Sequence, residues 1–164
     1  MENLNELETL IFKSIQEITD RSLKISSSII TKEIKSKIGK LGYENNYEVA
    51  SSEHHGEWIY DLIWFTEKED VLLNVPLVLE SELSDRTKKG LRFDFEKLLI
   101  SKSEYKIFIC MAEGNYSDNS VSNIKELLYK SFRSFKDVFN NERVLLLIWD
   151  DYNTGNLFPF IFEK

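Results

Sequence analysis

Apolar residues recur at helical spacing through the first forty positions and at strand spacing in most of the remaining chain. Leu4, Leu7, Leu10, Ile11, Ile15 and Ile18 predict a helix from Glu2 to about Asp20. Ile29, Ile30, Ile34, Ile38 and Leu41 predict a second, with N-cap oxygens offered by Ser26–Ser28 and stop signals at Gly39 and Gly42. Between them, "DRSLKIS" reads as a short bend. The period then changes. "YENNYEVAS" (43–51), "EWIYDLIWF" (57–65) and "LLNVPLVLESE" (72–82) read as three strands, with "TEKEDV" (66–71) as a polar turn before the third. Leu91, Phe95, Leu98 and Leu99 predict a helix over 88–102. "YKIFICMA" (105–112) and "RVLLLIWD" (143–150) are continuous apolar runs of strand length, as expected of strands buried on both faces. "GNYSDNS" (114–120) reads as a loop. A helix over Ser120–Asn140 comes next, carrying Ile124, Leu127, Leu128, Phe132, Phe135 and Phe139, and "LFPFIFEK" closes the chain as a last strand. The expected order is α-α-β-β-β-α-β-α-β-β, an α/β fold whose mixed central sheet is flanked by helices.

The chain's 164 residues suit one compact domain, 1–164, with no internal repeat and no Pro/Gly/Ser linker. A net charge of −7 argues against broad electrostatic tracking of a nucleic-acid backbone, although a local basic strip is compatible with it. The densest basic stretch, "DRTKKGLR", places Lys88, Lys89 and Arg92 at the entrance to the third helix, where they are candidate phosphate contacts. The single cysteine, Cys110, allows no disulfide within the chain and sits in an apolar run as a small buried hydrophobe. With no signal-peptide pattern at the start and no apolar run of membrane-spanning length, the expectation is a cytoplasmic protein that does not enter a membrane. The adjacent His54 and His55 diverge on extended backbone and make a poor chelating pair.

The candidate chemistry lies in carboxylates placed among apolar residues. Residues two apart on a strand share a face, so Glu80 and Glu82 point the same way, with their Cα atoms about 7 Å apart. Asp61 is flanked by apolar residues in "WIYDLIW", where a lone carboxylate is costly unless a partner or a cation meets it. If the two strands pair, Asp61 and Glu80 come side by side. Carboxylates so gathered suit a hard cation, magnesium first, with manganese as the alternative. Asp94 and Lys97 share one face of the following helix, from which Lys97 could bring an ammonium to that cation.

The residues D…E-S-E…D-F-E-K-L-L, Asp61 to Leu99, resemble the core of the PD-(D/E)XK nuclease superfamily, the restriction-endonuclease-like enzymes that cut phosphodiester bonds with magnesium. That core is a helix, three meandering strands, a helix and a further strand, the order expected here from 27 to 112. The resemblance implies that Asp61 is the acid of the second strand and Glu80 that of the third. The family's lysine normally stands two residues further on, where this chain has Glu82. Some members carry glutamate there, and others move the lysine to the next helix, which here is Lys97. The first core helix of the family often adds another acid, for which Glu33 is the nearest candidate, and Asp94 is a second additional acid. Helix 1–25 lies outside the family core and is a candidate contact in a homodimer. The implied activity is magnesium-dependent hydrolysis of nucleic acid, DNA first, with Asp61, Glu80 and Glu82 as cation ligands and Lys97 offsetting charge on the phosphate. The net charge and the glutamate at position 82 favour an alternative, a non-catalytic interaction or regulatory protein of the same fold.

Overall fold

A computed structural model describes residues 4–21, 26–113, 118–136, 142–151 and 154–164. The centre of the expected bend, the first half of the loop after 113, and Phe139 lie outside these residues. Ten elements succeed one another in the expected order: α1 (Glu6–Thr19), α2 (Ser27–Glu44), β1 (Glu48–Ser51), β2 (Leu62–Lys68), β3 (Val71–Glu82), α3 (Lys88–Leu99), β4 (Tyr105–Met111), α4 (Val121–Ser134), β5 (Arg143–Asp150) and β6 (Asn156–Glu163). The strands form one mixed sheet in sequential order. β1, β2 and β3 are an antiparallel meander, β3, β4 and β5 run parallel through helical crossovers, and β6 returns antiparallel.

Alternation along the central strands divides the core in two. Leu77, Leu79, Ile107, Ile109, Leu145 and Leu147 face α1 and α2, whereas Val78, Phe108, Cys110, Leu146 and Ile148 face α3 and α4. Both sides are covered, which is why these strands read as unbroken apolar runs. α1 opens with a capping box in which Asn5 accepts from the Glu8 N–H and the Glu8 carboxylate accepts from the Asn5 N–H. Glu8 also receives a two-pronged contact from Arg143 of β5, at 2.6 and 2.7 Å.

Several boundaries differ from the expectation, each for a local reason. α2 does not stop at Gly39 or Gly42 but runs to Glu44. These glycines make room for neighbours, since a Cβ on Gly39 would overlap the His54 imidazole and one on Gly42 would crowd Trp64 and Val49. His54 is therefore half-buried against α2, edge-on to Tyr43. The first strand consequently begins only at Glu48.

The second strand starts at Leu62, not Glu57, because β1 ends opposite it at Ser51. Ile59 is 77% exposed. At its other end β2 continues through Thr66–Lys68, and the reversal is the two residues Glu69 and Asp70, both at positive φ. Pro76 falls at a register shift between β2 and β3, where a missing N–H costs the ladder least. α3 ends at Leu99. α4 ends at Ser134, and the carbonyl of the extended Phe135 accepts from Lys164 at 2.9 Å.

Candidate active site

Three of the four core site residues converge where β2 begins and β3 ends. The register pairs Leu62 with Leu79, so one further step sets Asp61 opposite Glu80. Asp61 lies just outside the strand. Its Oδ2 accepts the Ser81 N–H at 2.8 Å, which fixes it to the backbone between the two glutamates of β3. Glu80 points to the α3 side of the sheet and is 4% exposed. Its Oε1 stands 2.8 Å from Lys97 Nζ, an ion pair without hydrogen-bond alignment. Lys97 is shared with Asp94 Oδ1 at 3.1 Å, one turn back on α3. Tyr60 Oη donates to the Lys97 carbonyl at 3.2 Å and so ties the segment leading into Asp61 to the same helix.

Burial dominates the electrostatics. It pushes the Glu80 carboxyl up to about 7, with Lys97 opposing and the charges of Asp61 and Asp94 adding to the rise. Asp94 is also raised, by burial first and by its contact with Glu82, against the pull of Lys97. Burial works against the Lys97 ammonium, but Glu80 and Asp94 outweigh it and hold its pKa above the ordinary value.

The remaining candidates are placed differently. Glu82 borders the cluster through its contact with Asp94 but is held by the loop after β3, where its Oε1 accepts from Ser84 N–H at 2.8 Å, Ser84 Oγ at 2.9 Å and Asp85 N–H at 2.6 Å. Glu33 is exposed on α2. The side chain that α2 sends to the site is Lys35, two residues and about 200° further round the helix. Its Nζ lies 3.1 Å from Asp61 Oδ1 and 2.5 Å from Glu57 Oε1. Sequence reasoning missed Lys35 and Glu57. The only available signal was the position of Lys35 beside Ile34, at the margin of an apolar stripe. Lys88, Lys89 and Arg92 are exposed at the start of α3, with Lys88 paired to Asp118 at 3.2 Å and Arg92 to Glu96 at 3.3 Å.

No protein-family model, curated protein or solved structure matches this chain. Among the described residues, no group of three or more histidine, cysteine, aspartate or glutamate side chains stands ready to share one metal ion. No described helix is long and apolar enough to cross a membrane. Burial pushes the Cys110 thiol up, which leaves it a packing residue. The site itself comprises two lysines, each shared by two carboxylates, Lys35 by Asp61 and Glu57 and Lys97 by Glu80 and Asp94, at the end of the sheet where open α/β folds bind their ligands. A cleft of about 620 Å³ is walled by Ser84, Asp85, Arg86 and Thr87, in the loop that Glu82 holds, and by Glu113, and none of Asp61, Glu80 and Lys97 lines it.

Proposed function

We propose that this protein is a magnesium-dependent nuclease of restriction-endonuclease-like fold, which hydrolyses phosphodiester bonds of nucleic acid, DNA first. The observation that carries this reading is the meeting of Asp61, Glu80 and Lys97, with Lys97 Nζ 2.8 Å from Glu80. These are three of the four residues to which the resemblance gave a catalytic part, Glu82 being the fourth. The succession α2, β1–β3 meander, α3 and parallel β4 supports it as well, being the order of elements in that superfamily.

The donor set fits the cation. Asp61 and Glu80 offer hard oxygens, which a cation would take over from the ammonium groups of Lys35 and Lys97. Two carboxylates suffice for magnesium, which keeps several of its waters, and manganese would suit the same pair. Such an ion polarises a phosphate and lowers the pKa of bound water. Asp61, held by the Ser81 N–H, and Glu80, held against α3, would bind it. Lys97 stays protonated at neutral pH and would offset charge that builds on the phosphate oxygens. Glu82, engaged with Ser84 and Asp85, shapes the loop at the mouth of the site. Lys88, Lys89 and Arg92 would contact flanking phosphates. A cytoplasmic setting suits the single, buried cysteine. A homodimer could cut both strands of a duplex.

One observation favours the second reading, a non-catalytic interaction protein of this fold: Lys35 and Lys97 already balance both carboxylates. Cleavage assays decide between the two. Plasmid DNA, single-stranded DNA and RNA incubated with magnesium or manganese should be cut in a cation-dependent manner. Asp61→Asn, Glu80→Gln or Lys97→Met should each reduce the rate roughly 100-fold or more while leaving thermal unfolding cooperative. An absence of cleavage on all three substrates would leave the non-catalytic reading standing.

A further inference from the structure

We infer that Lys35 sets the affinity of this site for a divalent cation: its ammonium competes for Asp61, and Glu57 retains it when a cation arrives. The inference rests on reading Asp61 and Glu80 as the cation ligands. It concerns a residue of α2 to which that reading gave no part.

Burying a lysine is costly unless partners compensate it. Lys32 and Lys40 on the same helix are exposed, whereas Lys35 is 5% exposed and directed at the site. Its Nζ has three partners: Glu57 Oε1 at 2.5 Å, Asp61 Oδ1 at 3.1 Å and Ser52 Oγ at 3.3 Å. Both oxygens of Asp61 are thereby engaged, Oδ1 by the ammonium and Oδ2 by the Ser81 N–H. A cation reaching Asp61 must share Oδ1 with Lys35 or displace it.

The site provides for that displacement. Glu57 lies on the irregular segment between β1 and β2, is half-exposed, and makes the shorter contact with Lys35. The ammonium can give up Asp61 without losing its last carboxylate. The other half of the site repeats the arrangement, because Lys97 is shared between Glu80, an inner carboxylate, and Asp94, an outer one. Each candidate ligand is thus balanced by a lysine that holds a second carboxylate in reserve. A fixed ammonium this close to a divalent cation repels it in a partly desolvated site, so removing the ammonium should tighten cation binding. A lysine that merely supported Asp61 would have the opposite signature, since its loss would leave the carboxylate unpaired and badly placed.

The test is a titration of the full chain with manganese alone, followed by electron paramagnetic resonance of the free ion. It compares wild type, Lys35→Met, Glu57→Gln and the double variant, with Lys35→Gln as a second neutral replacement should the methionine form not fold. Lys35→Met should bind manganese about tenfold more tightly than wild type. Glu57→Gln should bind it more weakly, and that loss should shrink when Lys35 is also replaced, because Glu57 acts through the ammonium. Equal or weaker binding by a folded Lys35→Met or Lys35→Gln protein overturns the inference. If wild type binds manganese in that case, the nuclease reading is untouched. If wild type binds none at millimolar concentration while Lys35→Met does, the inference holds and the nuclease reading falls, because the natural site is closed by its own lysine. If no variant binds manganese, the inference is overturned.

Discussion

Glu80 is set in a way that its neighbours in sequence do not reveal. Two-residue alternation puts it on one face with Val78, and the packing of α3 over that face buries it. Burial then raises its carboxyl from the ordinary 4.5 to about 7. An acid whose pKa is higher in the folded than in the unfolded state binds its proton more tightly when folded. The stability it confers is fully present below the unfolded value and is lost as pH rises through the folded one. Urea unfolding should therefore show stability falling between about pH 4.5 and 7 from this group, and Glu80→Gln should flatten that part of the profile. An unchanged profile would show that the carboxyl titrates as if exposed. Lys35 was hidden for a related reason. It lies beside the stripe Ile30, Ile34, Ile38 in the sequence, and only the arrival of Asp61 and Glu57 from a distant segment makes its burial tolerable.

At the scale of elements, the parallel strands carry charge at both ends, with different consequences. Opposite the candidate site, Lys106 at the start of β4 and Glu142 just before β5 form an ion pair that is almost wholly shielded from water. Removing one partner leaves the other buried and uncompensated. Lys106→Met or Glu142→Gln alone should cost ~3–5 kcal/mol in denaturant unfolding, whereas Lys106→Met with Glu142→Leu should restore stability close to wild type. A double variant as unstable as the single ones would mean that the pair also fixes the strand register. The elements were legible in kind and order because each has a clear period. Their ends were less so. Nothing in "TEKEDV" marks Glu69 and Asp70 as a two-residue reversal, since neither is the glycine or asparagine that positive φ usually selects. Gly39 and Gly42 looked like stops because the rings that fill the space above them come from β2 and from the loop after β1.

For the whole molecule, α1 is the clearest case of packing deciding what pattern could not. The proposed nuclease reading leaves it outside the core, yet Ile11, Phe12, Ile15 and Ile18 are buried against the sheet, and Glu8 is locked to Arg143 of β5. Its apolar stripe is thus used within the chain. Removing residues 1–21 should abolish cooperative thermal unfolding, monitored by circular dichroism, rather than release a trimmed folded core; a sharp transition in the shortened chain would contradict this. The order of the ten elements, the two-faced burial of the central strands and the candidacy of Asp61, Glu80 and Lys97 were determined by the sequence alone. They arise from periodicity and from the expense of carboxylates among apolar neighbours, both of which are local properties. Only the tertiary structure decided that Glu82 turns into a loop, that Glu33 faces solvent, and that Lys35 rather than an acid approaches Asp61 from α2. Those outcomes depend on where a helix settles on a sheet and how far round its axis each side chain lies. No single stretch of sequence contains that geometry.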